Sequence, residues 1–162
     1  MLVVDTSAFV SLTVGDVLDP VLTEFSVVTS QTVLDELEQT AEYDDRHGQA
    51  ASTVVDSADH FEVVDTDGDA FVTSRIDIGE ASCIAATRET GAVFLITDDF
   101  RALPELRQLV DAEVALSPVV LRALVKRGAL TEQEAMDAFE TIAEGRDWLG
   151  APIYRYARQL FE

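Results

Sequence analysis

The chain has a single cysteine, Cys83, and a single lysine, Lys126. One thiol allows neither an internal disulfide nor a zinc cage built on cysteines. The two histidines, His47 and His60, are isolated and read as structural or surface residues. No apolar run approaches the roughly 20 residues of a membrane span. The apolar start, Met1 to Val4, breaks at Asp5 and lacks the basic flank and length of a secretory signal. The expectation is a cytoplasmic protein with no membrane contact. A GxxxxGK[ST] segment is also missing, which excludes a P-loop enzyme.

Positive charge is scarce. Eleven cationic residues face 31 acidic ones, for a formal charge of −20. The acids are dispersed through every segment, as on the solvated surface of halophilic proteins from salt-loaded cytoplasm. There a Debye length of about 3 Å at about 1 M salt screens self-repulsion. Any nucleic-acid binding must then rest on metal and on local arginines such as Arg46, Arg75 and Arg101, because no broad basic face is available.

What is present is a core. A chain of 162 residues with 48 % hydrophobic content suits one domain. Short apolar runs at Met1–Val4, Phe25–Val28, His60–Val64, Val93–Thr97 and Glu113–Leu116 predict strands, and helix-like segments separate them. Ser7 is placed to cap a short helix, Asp16–Leu22 forms a second, and Thr29/Ser30 open a third carrying Val33, Leu34 and Leu37. Residues 44–48 predict a loop or helix break before an Ala/Val-rich helix. Gly79–Glu89 forms a helix stopped by Gly91. Beyond the fifth strand the chain is helical, with Ser117 as an N-cap and Pro118 at the first helical position, Gly128 as a stop and a capping box at Thr131 to Glu134. Trp148 and Tyr154 are expected to staple the end to the body. Strands alternating with helices indicate a parallel sheet covered on both faces.

The apolar runs stop on carboxylates. The first ends at Asp5 and the fourth at Asp98-Asp99. Ligands of open α/β sheets sit at the carboxyl ends of the strands. Neighbouring strands would bring these acids together, and packed anions call for a divalent cation between them.

Four motifs in order resemble a known family: Val-Val-Asp5-Thr6-Ser7, Val33-Leu34-Asp35-Glu36-Leu37, Gly79-Glu80-Ala81, and Leu-Ile-Thr97-Asp98-Asp99-Phe100. Together they resemble the PIN-domain nucleases over residues 1–117. The resemblance implies a three-layer α/β/α sandwich that cleaves RNA with Mg²⁺ or Mn²⁺ held by acids. Residues 118–162 would be a helical extension packed on the same domain. Many members of the family are the toxin of a VapC-type toxin–antitoxin pair, so an antitoxin and a homodimer join RNA as expected partners.

Carried onto this sequence, the family's metal-binding and catalytic acids fall on Asp5, Glu36, Glu80 and one of Asp98 and Asp99. Asp35 neighbours Glu36 and could be confused with it. Asp77 and Glu80 have the spacing of a capping box, so Glu80 could serve its own helix start. The family pattern of Thr, any residue, then Asp favours Asp99, and the other acid is left to cap the next helix. Thr6 and Thr97 could position an acid or a water, or cap strand ends. Two rivals fit less well. A phospho-receiver needs a late sheet-proximal lysine, which Lys126 is not, and a haloacid-dehalogenase phosphatase needs Asp-x-Asp where Asp5-Thr6-Ser7 stands. A catalytically idle PIN-like scaffold is the non-enzyme alternative.

Overall fold

Strand β1 (Leu2–Val4) is the centre of a five-stranded sheet in which every pairing is parallel. With β2 (Val27–Ser30), β3 (Glu62–Val64), β4 (Phe94–Ile96) and β5 (Glu113–Ala115), the order is β3-β2-β1-β4-β5. Leu2 pairs with Val27 on one side and Phe94 on the other. The chain therefore builds outward from β1 to β3, then crosses back to place β4 on the opposite side. That reversal makes the carboxyl ends of β1 and β4 the switch point where α/β sheets bind ligands. The computed structural model describes residues 1–162.

Nine helices cover the sheet in a three-layer α/β/α sandwich: α1 (Thr6–Val14), α2 (Leu18–Glu24), α3 (Gln31–Thr40), α4 (Arg46–Asp56), α5 (Ile78–Thr90), α6 (Leu103–Leu109), α7 (Ser117–Lys126), α8 (Glu132–Gly145) and α9 (Pro152–Arg158). One continuous core joins Val3, Val4 and Leu95 of the sheet to Leu121, Leu124, Phe139 and Ile142 of the last helices. Trp148 is buried in it, and Tyr154 stacks on Phe139 at 5.5 Å between ring centroids. The end of the chain is thereby tied to the body. No helix is long and apolar enough to cross a membrane.

Several boundaries differ from the sequence expectation, each for a local reason. Strand β2 covers Val27–Ser30 instead of Phe25–Val28. Phe25 closes α2 through its N–H to Val21 O and lies under the Arg127 guanidinium, 4.3 Å from the ring centre. Thr29 and Ser30 can remain in the strand because their hydroxyls find partners, Val4 O at 2.7 Å and the Val33 N–H at 3.0 Å. The second helix starts at Leu18, after Asp16 turns the chain at φ 57°. The polar stretch at 44–48 is partly helix, since Asp45 accepts the Gly48 N–H at 2.7 Å and starts α4. Gly91 stops α5 as expected, at φ 68°, where a side chain would be strained.

Candidate active site

The first candidate side chain is fixed by the end of β1. Asp5, not Ser7, is the N-cap of α1: its Oδ1 accepts the Ala8 N–H at 2.9 Å and the Ser7 hydroxyl at 2.8 Å. Its Oδ2 accepts the Thr97 hydroxyl from the end of β4. Ser7 has a different task. Its Oγ accepts the Asp98 N–H at 2.9 Å, so it ties the two strand ends together. The Thr97 oxygen similarly accepts the Asp99 N–H at 3.2 Å. Two hydroxyls thus set the spacing between the acids of β1 and β4.

Glu36 and Glu80 come from α3 and α5, which are locked to each other. Ser30 caps α3, and its Oγ pairs with Ser82 Oγ of α5 at 2.7 Å. The first turn of α5 lies against Glu36, and a Cβ on Gly79 would overlap Glu36 Oε1. Glycine at 79 is therefore what allows the carboxylate its place. Asp35 points outward, exposed, and accepts from Gln31 at 2.9 Å. Glu80 does both things expected of it. It completes the capping box with Asp77, accepting that residue's N–H at 3.3 Å, and it also lines the acid cavity.

That cavity, about 430 Å³, is lined by Asp5, Glu36, Glu80, Asp98 and Asp99 together. All five acids picked out in the sequence meet there. Thr6, Thr40, Asp77, His47 and Arg146 complete much of its wall. Asp98 and Asp99 are used differently. Asp98 is buried, and its Oδ1 accepts the Ser117 N–H at 2.7 Å, giving α7 the cap that Ser117 was expected to supply. Ser117 is instead the first residue of α7, whose N-cap position is Leu116. Asp99 is half-buried and accepts the Ala102 N–H at 3.2 Å in the turn before α6.

Burial and mutual repulsion hold the acids away from their ordinary ionisation. Asp5, 4 % exposed, is raised to about 7 by burial, against the pull of Thr97, the Ala8 N–H and Ser7. Glu36 is raised to about 7 by burial and then by the charges of Asp77 and Asp5. Glu80 goes up to about 9, first by burial, then by its hydrogen bond to Asp99 and by the charges of Asp77, Asp99 and Asp5. Asp98 is raised by burial while Ser11, Ser117 and Arg146 oppose the shift. Strong perturbation of this kind in a cleft marks a functional-site candidate.

The donors suit a hard cation. All are carboxylate or hydroxyl oxygens, and two buried carboxylate oxygens, Glu36 Oε1 and Asp98 Oδ2, have no hydrogen-bond partner. No three of the acids, imidazoles or thiol stand close enough to chelate a bare ion as they are. The arrangement fits Mg²⁺-like binding, in which one or two carboxylates contribute and water or phosphate oxygens fill the remaining shell.

Two basic wall residues lay outside the sequence-based site. Arg146, just past α8, is one. His47 is the other, assigned to structure or surface: it is exposed at the cavity rim, with Nε2 3.3 Å from Gly145 O. Arg46, Arg75 and Arg101 do not line the cavity. His60 lies elsewhere, beside Phe61 and Val27.

A parallel sheet in this order, sandwiched by helices and with acids gathered at its switch point, defines a PIN-like α/β domain. The chain belongs to the DUF3368 family of PIN domains, whose family model matches residues 1–162. A comparison with curated proteins gives no match. PIN domains are generally metal-dependent nucleases, so the coarse activity is hydrolysis of nucleic acid.

Proposed function

We propose that this protein is a Mg²⁺- or Mn²⁺-dependent endoribonuclease that hydrolyses RNA phosphodiesters in the acid cavity. The observation that carries this reading is the convergence of Asp5, Glu36, Glu80 and Asp99 from four different elements on one cavity at the switch point. Asp5 and Asp99 are assigned as principal ligands, with Glu36 and Glu80 holding a second ion or orienting the attacking water. Asp98 lines the same cavity, but its capping bond to α7 makes it mainly a positioning residue.

When bound, the divalent ion supplies charge neutralisation at the phosphate and a more acidic attacking water. The protein's own groups do the rest. Ser7 and Thr97 fix the Asp5 carboxylate against rotation, so its geometry is set before substrate arrives. Glu80, which retains a proton above neutral pH in the metal-free site, must lose it before it can act as an anionic metal ligand. The helical residues 118–162 form part of the same wall through Arg146. Within the family resemblance, the protein is the toxin of a toxin–antitoxin pair, acting in the cytoplasm, with a cognate antitoxin and a homodimer as its protein partners.

The test is cleavage of a total cellular RNA pool at molar KCl, with Mg²⁺ or Mn²⁺ against chelator. Internal cuts that vanish with chelator and with Asp5→Asn are the expected result. A fully active Asp5→Asn would falsify the mechanism. A wild type that binds the ion yet leaves the RNA intact establishes the idle-scaffold alternative.

A further inference from the structure

Arg146 is the one lysine or arginine on the wall of a cavity otherwise rich in acids. Its backbone is anchored: its N–H donates to Ile142 O at 2.8 Å, and two residues on the buried Trp148 donates to Ala143 O at 2.8 Å. The chain turns between them at Asp147, φ 61°. The guanidinium is thus held at the cavity by a fixed helix end.

Its charge has no partner. The ion pairs of the structure are Arg122–Glu132 and Arg127–Glu24, and no carboxylate lies within 4.0 Å of Arg146. Arg88, Arg107 and Arg127 donate to other residues, whereas the Arg146 side chain donates to none, and its buried Nε lacks any acceptor. Leaving a guanidinium partly desolvated and unpaired is unfavourable, because its N–H groups lose water without gaining acceptors. A residue serving only to balance the fields of Asp98 and Asp5 would gain by closing on one of them.

We infer that Arg146 is a substrate-binding residue whose guanidinium fork takes a backbone phosphate of the RNA strand lying in the acid cavity. The fork matches two phosphate oxygens at once, and arginine keeps its charge despite burial. A chain of net charge −20 cannot attract RNA by its overall field. One fixed cation beside the acids therefore selects where a phosphate sits relative to the bound ion. This inference rests on the nuclease reading for its substrate class.

The experiment is binding of a fluorescein-labelled 12-nucleotide single-stranded RNA, followed by anisotropy over a KCl series with Ca²⁺ replacing Mg²⁺. RNA integrity is checked after each titration. Arg146→Met should weaken binding at least tenfold and reduce the slope of log K against log salt by about 0.7, the value of one phosphate contact on a single strand. A purely structural role would lower the melting midpoint without changing that slope. Arg146→Met that binds with wild-type affinity and slope overturns the clamp and leaves the nuclease reading standing, while wild type that binds no RNA overturns both. If Arg146→Met does not fold, Arg146→Lys carries the test. It should keep the slope but lose a few-fold in affinity as the fork is lost, and unchanged affinity overturns the inference.

Discussion

The Thr97 hydroxyl donates to Asp5 Oδ2 across the β1–β4 pairing, joining residues 92 positions apart at the floor of the acid cavity. The same oxygen accepts the Asp99 N–H, so one threonine orders acids from both strand ends. Thr97→Val keeps the shape and removes these bonds. It should cost about 1.5–3 kcal/mol, the range for a hydrogen bond to a charged group. The bond to Thr97 is the largest influence lowering the pKa of Asp5, so its loss raises that pKa further. The variant should therefore be more damaging above pH 7, where Asp5 ionises, than at pH 5. Chemical denaturation at the two pH values checks both statements.

The metal-free protein should lose stability as pH rises from about 4 to about 9. Asp5 and Glu36 hold protons to about 7 in the native state and Glu80 to about 9, whereas the unfolded chain releases them near 4. Through that window the folded state carries more bound protons than the unfolded state, so stability falls as pH increases. A divalent ion that binds the deprotonated acids should reverse the trend by stabilising the native state. Thermal melts from pH 5 to 9, with chelator and with Mn²⁺ at constant ionic strength, read this directly. A chelated protein that becomes more stable toward pH 9 contradicts the arrangement of buried protonated acids.

Asp98 and Asp99 should separate by what their removal disturbs. Asp98→Ala leaves the Ser117 N–H at the start of α7 without its acceptor, a loss of about 1–3 kcal/mol. Asp98→Asn retains a carbonyl oxygen there and should cost less. Asp99→Asn should leave the fold near wild type while abolishing stabilisation by Mn²⁺. Isothermal titration with Mn²⁺ beside urea denaturation distinguishes the two. Loss of Mn²⁺ binding in Asp98→Asn with full binding in Asp99→Asn would exchange their roles.

Asp5, Glu80, Asp98 and Asp99 were legible because each stands where an apolar run ends or a helix begins, a local signal that a parallel sheet turns into proximity. Glu36, in the middle of α3, was legible only through the family motif around it. The acids' division of labour was not local. Asp98 takes its partner 19 residues on at Ser117, and Ser7 takes its partner 91 residues on at Asp98. Read in isolation, both serines look like helix caps, and in the folded chain carboxylates supply the capping acceptors instead. Thr29 and Ser30 led to β2 being expected two residues too early for the same reason, since only the neighbouring strand and helix reveal how their hydroxyls are satisfied. Arg146 gave no signal at all, because a single arginine after a helix resembles any solvated cation until the cavity is assembled around it.

Gly79→Ala tests whether Glu36 needs its place beside α5. An added Cβ overlaps the Glu36 carboxylate, the end of a flexible side chain that can swing away. The backbone has no positive φ there, and alanine favours helix by up to about 1 kcal/mol over glycine, so the fold should survive. Moving Glu36 separates it from Asp77 and Asp5, whose charges, after burial, help to raise its pKa. Its titration should then fall toward the ordinary carboxylate range, visible by NMR of the labelled glutamate. At the same time Mn²⁺ should stabilise the variant less than wild type, and RNA cleavage should drop at least tenfold. Glu36→Gln should reproduce the losses in metal response and activity without the Cβ. If Gly79→Ala binds Mn²⁺ and cleaves as wild type does while Glu36 titrates normally, the Glu36 carboxylate has no part in the metal site.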